Sequence, residues 1–294
     1  MRFGTVRAQL ATTAPFDGRA VLAFLAARAI PGVEVVEGDT YRRTLALPGG
    51  PAVVALTVAA TGDAVTLSGR LTDPADRPTA VAIARALFGL DQDPGAVRHG
   101  LGADAILGPL VRARPGLRVP GAASGFEVAV RAILGQQISV AAARVLAGRI
   151  TERLGEELAD TGDPALTRLL PTPEALAAAP ADAFPMPRSR IRTLQGLGAA
   201  DPPLTAPAQA ADLIDLWGVG PWTAAYVALR LGDPDVFLPT DVAILKALGL
   251  LGATTADAPR WAPLRSFATL HLWASLANPS ASAPRSGGVQ QRTG

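Results

Sequence analysis

The sequence predicts an α+β fold in which an N-terminal antiparallel β-sheet with helices, ordered β-α-β-β-β, precedes a mainly α-helical part. Three observations predict it. Period-two alternation of apolar and polar residues is confined to the first ninety or so residues; apolar stripes at helical spacing fill the chain from about residue 94; and Gly218-x-Gly220 separates two such stripes by a tight hairpin. The expected parts are residues 1–93, residues 94–279, and a disordered tail over 280–294. The tail's Ser, Gly, Pro and Arg offer too little apolar surface to offset the entropy lost on ordering. A chain of 294 residues, 49% of them apolar, is long enough to bury a large core in two or three lobes.

Taken in order, Val6-Arg7-Ala8-Gln9-Leu10 alternates as a half-buried strand, and a helix is expected over 18–29. Strands are expected over 40–47, 52–58 and 64–71, with turns at Gly49-Gly50-Pro51 and Thr61-Gly62-Asp63, and a helix over 79–88 closes this part. Ser124-Gly125-Phe126-Glu127 fits a capping box, and Phe126, Val130, Ile133 and Leu134 form the stripe of the helix it opens. Gly135-Gln136-Gln137-Ile138 then turns the chain into a helix begun by Ser139, with Ala143, Leu146, Ile150 and Leu154 inward. Further helices are expected over 173–179, 188–197, 242–248, from 258 onward and over 265–276.

The segment 208–216 has helical spacing with Ala210, Leu213, Ile214 and Leu216 on one side, and it stops at Gly218. A second stripe starts at once, with Trp222, Ala225, Tyr226 and Leu229 on one face, which makes the whole a helix-hairpin-helix. Glycines let a ligand approach the backbone, and a helix start offers free amides at the positive end of its dipole, a setting that suits phosphate. The same glycine pair also serves as an ordinary helix C-cap. Downstream, Asp241 precedes the apolar run Val242-Ala243-Ile244-Leu245, where a helix N-terminus favours an ionised carboxylate by about 0.3–1 kcal/mol. That position equally suits a plain N-cap, a task Thr240 could take instead.

Composition removes several classes of chemistry. With no cysteine there is no disulfide, thiolate metal site, four-cysteine iron–sulfur cluster or cysteine methyl acceptor, and two histidines are too few to suggest zinc. His271 reads as a packed residue. Net charge is +2 with a pI near 9.6, and only Lys246 among the 27 basic residues is a lysine. The clusters Arg112/Arg114/Arg118 and Arg188/Arg190/Arg192 read either as phosphate contacts or as solvated faces. Arg7, Gln9, Thr12 and Thr13 interrupt any signal-peptide core, and no run of eighteen apolar residues occurs, so a cytoplasmic protein with no membrane partner is expected.

Trp222-Thr223-Ala224, Tyr226, Leu229-Arg230 and the loop Pro234 to Asp241 resemble the helix-hairpin-helix, Gly/Pro-rich loop, aspartate motif of a DNA glycosylase superfamily. Within it the chain resembles the AlkA type, 3-methyladenine DNA glycosylase II. Phe24 to Ala29, Ala113 to Gly121, Arg131 to Gln137, Arg265 to Ala268 and Leu270 to Trp273 extend the resemblance over residues 1–278. It implies base-excision repair of damaged double-stranded DNA, in which an alkylated purine such as 3-methyladenine or 7-methylguanine is flipped out and its N-glycosidic bond hydrolysed. Asp241 would be the catalytic carboxylate, stabilising positive charge on the sugar. Trp222, Tyr226 and Trp273 would wall the base pocket, where a cationic base gains about 0.5–2 kcal/mol over an aromatic face. Gly218, Val219, Gly220 and Thr223 would hold the DNA backbone. Gln137 would wedge into the base stack, although as a residue it reads equally as a surface turn.

The resemblance further implies a monovalent cation, Na or K, on the main-chain carbonyls of Ile214, Leu216 and Val219, with no cofactor required. It places the site between two helical lobes of a monomer, one carrying the Gln137 turn and the hairpin, the other Asp241 and Trp273. Related strand-cutting enzymes carry a Schiff-base lysine where Trp222 stands, and Lys246 lies in the helix after Asp241, so a monofunctional hydrolase without lyase activity is expected. Three positions depart from the family pattern. Val242 and Ala274 stand where the best-known members have tyrosines, and Trp217 replaces the usual proline before the hairpin. Two other readings remain open: a glycosylase of the same fold for a deaminated or oxidised base, and a non-catalytic helix-hairpin-helix DNA-binding protein.

Overall fold

The N-terminal alternation resolves into five antiparallel strands in the computed structural model, which describes residues 4–277. They are β1 (Gly4–Ala11), β2 (Glu34–Glu37), β3 (Thr40–Leu47), β4 (Gly50–Val58) and β5 (Ala64–Leu71), in spatial order β1-β5-β4-β3-β2. The expected β-α-β-β-β order lacked β2. That strand has four residues, and the residue it buries is Glu34, so it carries no apolar alternation to read. It pairs with β3 from Glu34↔Arg43 to Glu37↔Thr40. One face of the sheet buries Val6, Leu10, Val54, Leu56 and Leu67 against α1 (Gly18–Arg28) and α2 (Arg77–Phe88), forming one core with Val21, Leu25 and Phe88. Asp17 caps α1 by accepting from the Ala20 amide at 2.9 Å, and Gly89, in the left-handed region, ends α2.

The helices that follow are α3 (Pro94–Leu101), α4 (Leu107–Ala113), α5 (Gly125–Leu134), α6 (Val140–Leu154), α7 (Pro173–Ala178), α8 (Arg188–Ala200), α9 (Pro221–Arg230), α10 (Val242–Leu250) and α11 (Arg265–Ala277). Together they form the α+β fold expected, around a second core that includes Val128, Ile133, Leu194, Val227, Ile244 and Leu272. Two expected helices are 3₁₀ segments, Pro207–Asp215 and Thr255–Trp261. In the second, Pro259 removes an amide donor from the interior. In the first, three residues per turn stack Ala210 over Leu213 and leave Ile214 51% exposed, so Ile214 leaves the stripe that a 3.6-residue period assigned it. Only half of the expected capping box forms at α5: the Ser124 hydroxyl accepts from the Glu127 amide at 3.1 Å, but the Glu127 carboxylate turns to other partners. The expected tail, 280–294, lies outside the described residues.

Those partners join the sheet to the helices. Arg43 of β3 donates to Glu127 at 2.7 Å, and Arg131 of α5 reaches both Glu127 at 2.7 Å and Glu34 of β2 at 2.5 Å. Tyr41 donates its hydroxyl to Glu34. Glu34 also accepts from the Ile30 amide at 2.9 Å, and Arg131 donates to the carbonyl of Arg28 at the end of α1 at 2.9 Å. Two guanidiniums and two carboxylates thus neutralise one another out of water, which is the condition for keeping charges inside. Burial by itself would raise the Glu127 pKa, but Arg43 and Arg131 outweigh it and hold the carboxyl near 2. The loop after α6 adds a further tie, the Thr44 hydroxyl donating to the Arg168 carbonyl at 2.7 Å.

Among the described residues no single helix is long and apolar enough to cross a membrane; Val242–Leu250 and Thr255–Trp261 have the length and composition together but meet at 91°.

The cluster sets the acid stability of the protein. Glu127 releases its proton more readily folded than at its ordinary value of 4.5, so its contribution is complete above about 4.5 and lost as pH falls toward about 2. Burial, with Arg114 nearby, pushes the His271 imidazole down from 6.5 to about 4, which adds an earlier loss between those values. Glu127→Gln should lower unfolding stability by about 3–5 kcal/mol at neutral pH, because two buried guanidiniums are left to share the single carboxylate of Glu34. It should also flatten the profile between pH 4.5 and 2 while leaving the step between 6.5 and 4. Urea unfolding at stepped pH measures both, and a wild-type profile in the variant would contradict the assignment.

Candidate active site

The hairpin is built from two glycines with different reasons. Gly218 has φ +80°, and a Cβ there would lie 2.2 Å from the Thr193 hydroxyl of α8. Gly220 is extended, and a Cβ there would meet nothing within 4 Å, so packing does not demand glycine. What its glycine preserves is bare backbone immediately before Pro221, the first residue of α9. Val219 between them has its side chain buried in the core, and its amide donates to the Leu216 carbonyl at 3.0 Å. Thr223 is also buried, with its hydroxyl engaged by the Gln136 side chain at 3.1 Å, so it joins two loops and does not present a surface contact.

Gln136 is the residue that the sequence reading passed over. Its amide donates to the Gly218 carbonyl and to Thr223, both at 3.1 Å, while Arg190 donates to its carbonyl at 2.7 Å. The turn after α5 is thereby tied to the hairpin. Gln137, next to it, is exposed and held at φ +59°, a left-handed conformation that costs a non-glycine residue of the order of 1 kcal/mol. Of the three carbonyls expected to bind a cation, that of Leu216 already accepts from Val219. No group of three His, Cys, Asp or Glu side chains that could hold a metal occurs among the described residues.

Asp241 lies where three helices meet. It caps α10, its Oδ1 accepting from the Ile244 amide at 3.0 Å, so Thr240 does not take that task. The same Oδ1 accepts the indole N–H of Trp273 on α11 at 3.1 Å, and Oδ2 accepts that of Trp222 on α9 at 3.1 Å. The N-cap reading of Asp241 therefore holds, and the cap leaves its carboxylate free to accept from both indoles. These bonds fill three of the roughly four acceptor sites of a carboxylate and fix its orientation. The loop carrying Asp241 is fixed to the start of α11: Asp235 pairs with Arg265 at 2.7 Å, and Ser266 bonds both the Val236 amide at 2.9 Å and the Asp233 carbonyl at 2.6 Å.

The aromatic residues come together unequally. Trp222 stacks on Tyr226 with centroids 5.3 Å apart and planes 10° from parallel, and Trp273 is tilted 54° to Tyr226 at 6.4 Å. Tyr226 is only 9% exposed and stacks on Trp222, so it supports that indole while also lining the same cleft. Beside it are two cations, Arg230 and Arg28, to which the sequence alone assigned no role. Arg230 donates to the Tyr226 hydroxyl at 2.9 Å and to the carbonyls of Pro120 and Gly121 at 2.6 Å each, and Arg28 lies 3.7 Å from the centre of the Phe24 ring. Burial alone would raise the Tyr226 phenol; Arg230 and Arg28 outweigh it and bring it down to about 8.

Asp241, Trp222, Tyr226, Trp273 and Gln137 line one cleft of about 1170 Å³, whose lining also includes Arg28 and, from the buried charge cluster, Glu127. Lys246 is not among the lining residues. The two arginine clusters part company. Arg114 pairs with Asp17 at 2.9 Å and Arg118 is buried against the carbonyls of Thr13 and Pro15, so these two hold connecting segments, while Arg112 stays exposed and donates to Gly102 at 2.8 Å. Arg190 and Arg192 instead sit on α8 beside the hairpin. A fixed carboxylate between two indoles, in a cleft with a bare hairpin at its edge, can stabilise positive charge on a ligand held there.

Comparison with known proteins places this geometry in a family. The AlkA N-terminal domain model matches residues 7–124. The chain is 42% identical over 291 residues to the probable bifunctional transcriptional activator/DNA repair enzyme AlkA of Mycobacterium tuberculosis, covering 94% of this chain but only 58% of that protein. It is 39% identical over 277 residues to DNA-3-methyladenine glycosylase 2 of Escherichia coli, covering 88% of this chain and 94% of that one. The fold is shared with the 3-methyladenine DNA glycosylase of Archaeoglobus fulgidus, at a TM-score of 0.80 and 20% identity over 93% of this chain and 99% of that chain. On identity sustained over nearly the whole of the Escherichia coli relative, the chain belongs to the AlkA-type 3-methyladenine DNA glycosylase II family.

Proposed function

We propose that the protein is a base-excision repair glycosylase that hydrolyses the N-glycosidic bond of alkylated purines in double-stranded DNA. The observation that carries this reading is Asp241, whose carboxylate accepts from both Trp222 and Trp273 at 3.1 Å within the cleft. A purine alkylated at N3 or N7 is already cationic and leaves neutral, taking the electrons of the C1′–N bond. Positive charge then develops on the deoxyribose, and a preorganised anion in the cleft stabilises it. Water adds its oxygen to C1′ and gives up a proton, to Asp241 or to solvent. The two indole donors fix the carboxylate for this task, and the faces of Trp222 and Trp273, backed by Tyr226, favour an electron-poor base.

Further roles follow from position. The amides of Gly218 and Gly220 hold a phosphate next to the flipped nucleotide, and Gln137 fills the gap it leaves in the stack. Carbonyls of Ile214, Leu216 and Val219 would hold Na or K if the hairpin opens the bond between Leu216 and Val219. No other cofactor is needed for hydrolysis. Residues 1–93 then serve as a scaffold part and 94–279 as the catalytic part. The working form is a monomer acting on DNA in the cytoplasm. With Trp222 in place of an amine nucleophile, the product is an abasic site and the strand stays intact.

Asparagine keeps the capping acceptor but not the charge, so Asp241→Asn should stay folded while single-turnover release of 3-methyladenine and 7-methylguanine from alkylated duplex falls at least about 100-fold. Release that survives in the variant would remove Asp241 from the chemistry. If the wild type binds such DNA but frees neither base, an oxidised or deaminated lesion or a non-catalytic role takes the place of this reading. Borohydride added during turnover should trap no protein–DNA adduct, since no amine reaches C1′; a trapped adduct would overturn the monofunctional assignment.

A further inference from the structure

Trp217 occupies an exposed position at the entrance to the hairpin, 49% exposed although it is the largest kind of side chain. Its ring is covered by a cation: the Arg192 guanidinium lies 4.6 Å from its centroid. Arg192 is exposed on α8, one residue before Thr193, whose hydroxyl fills the space next to Gly218. Helix α8 therefore runs directly against the hairpin. Among the described residues the Arg192 guanidinium makes no ion pair, even though Asp212 and Asp215 lie close to Trp217 in sequence. A guanidinium held over an indole face keeps its N–H donors at its edge, and these are the groups that match phosphate oxygens in a bidentate pair. Held in advance, it also loses less freedom on binding than a free surface arginine would.

We propose that Arg192, positioned by Trp217, contacts a second DNA phosphate beside the one held by the Gly218 and Gly220 amides, so that the clamp grips two backbone positions. The proposal rests on the reading of the hairpin as a DNA clamp. Trp217 acts through Arg192 as a positioning residue.

The test is the salt dependence of binding to a duplex containing an abasic-site analogue, followed by fluorescence anisotropy from about 50 to 200 mM NaCl. Removing one phosphate contact should reduce the magnitude of the slope of log K against log salt by about 0.9. Arg192→Gln should show that reduction and weaken Kd by about 3- to 10-fold near 0.1 M salt. Trp217→Leu should match it, and the double variant should lose no more than either alone. Arg98→Gln, on the exposed side of α3, removes the same charge and should keep the wild-type slope. An unchanged slope in Arg192→Gln overturns the proposal, as does Trp217→Leu weakening binding at constant slope, which would make the ring itself the contact. If Trp217→Leu unfolds, the surface change Arg192→Gln alone decides. A wild type without affinity for the duplex sinks the clamp reading and this proposal together; wild-type binding with an unaltered slope in Arg192→Gln sinks only this one.

Discussion

Two arginines and two glutamates are buried together between the sheet and α5, and each is acceptable there only because the others are in place. Glu34 and Arg43 come from paired strands, Glu127 and Arg131 from one helical face four residues apart. Displacing the sheet by one register would leave Arg43 without a carboxylate and Glu34 facing away from Arg131, at several kcal/mol per unpaired charge. The cluster therefore fixes how the sheet sits on the helices. Through the Arg131 bond to the Arg28 carbonyl it also fixes the end of α1, and Arg28 and Glu127 both line the cleft.

The rest of the cleft is assembled by groups that each satisfy two demands. Asp241 neutralises the amide end of α10 and at the same time receives two indoles from different helices. An ordinary helix cap is thereby converted into an oriented anion with no extra burial of charge. Arg230 supports the Tyr226 hydroxyl while holding the carbonyls of Pro120 and Gly121, so the connector leading to α5 and the aromatic stack on α9 move as one. Gln136 performs the same service at the front, linking the Gln137 turn to the hairpin. The proposed wedge, clamp and carboxylate are consequently braced against one another, as catalysis by preorganised charge requires.

Much of this was written in the local sequence. Alternation gave β1, β3, β4 and β5; apolar periodicity with Ser124, Ser139 and Asp241 as N-caps gave α5, α6 and α10; and the paired glycines gave the hairpin. These features depend on neighbours within a few residues, where side-chain period and backbone freedom decide the outcome. The strand β2 escaped because its buried residue is a glutamate, and Ile214 was misplaced because a 3₁₀ period was read as 3.6. A charged residue at an inward position, Arg43 between Tyr41 and Leu45 on β3, was the available hint of the buried cluster.

The sequence by itself determined most of the order of elements, the hairpin, the absence of thiol chemistry and the set of aromatic and acidic residues from which a site could be drawn. Only the tertiary structure decided which of them meet. Asp241 and Trp273 are 32 residues apart, Arg43 and Glu127 are 84 apart, and Gln136 and Gly218 are 82 apart. Pairings of that range have no local signature, because they arise when packed layers bring polar groups out of water and each must find a partner there. The same rule separated the arginines: Arg118 was drawn inward to carbonyls that needed a donor, while Arg192 was left at the surface on an indole face.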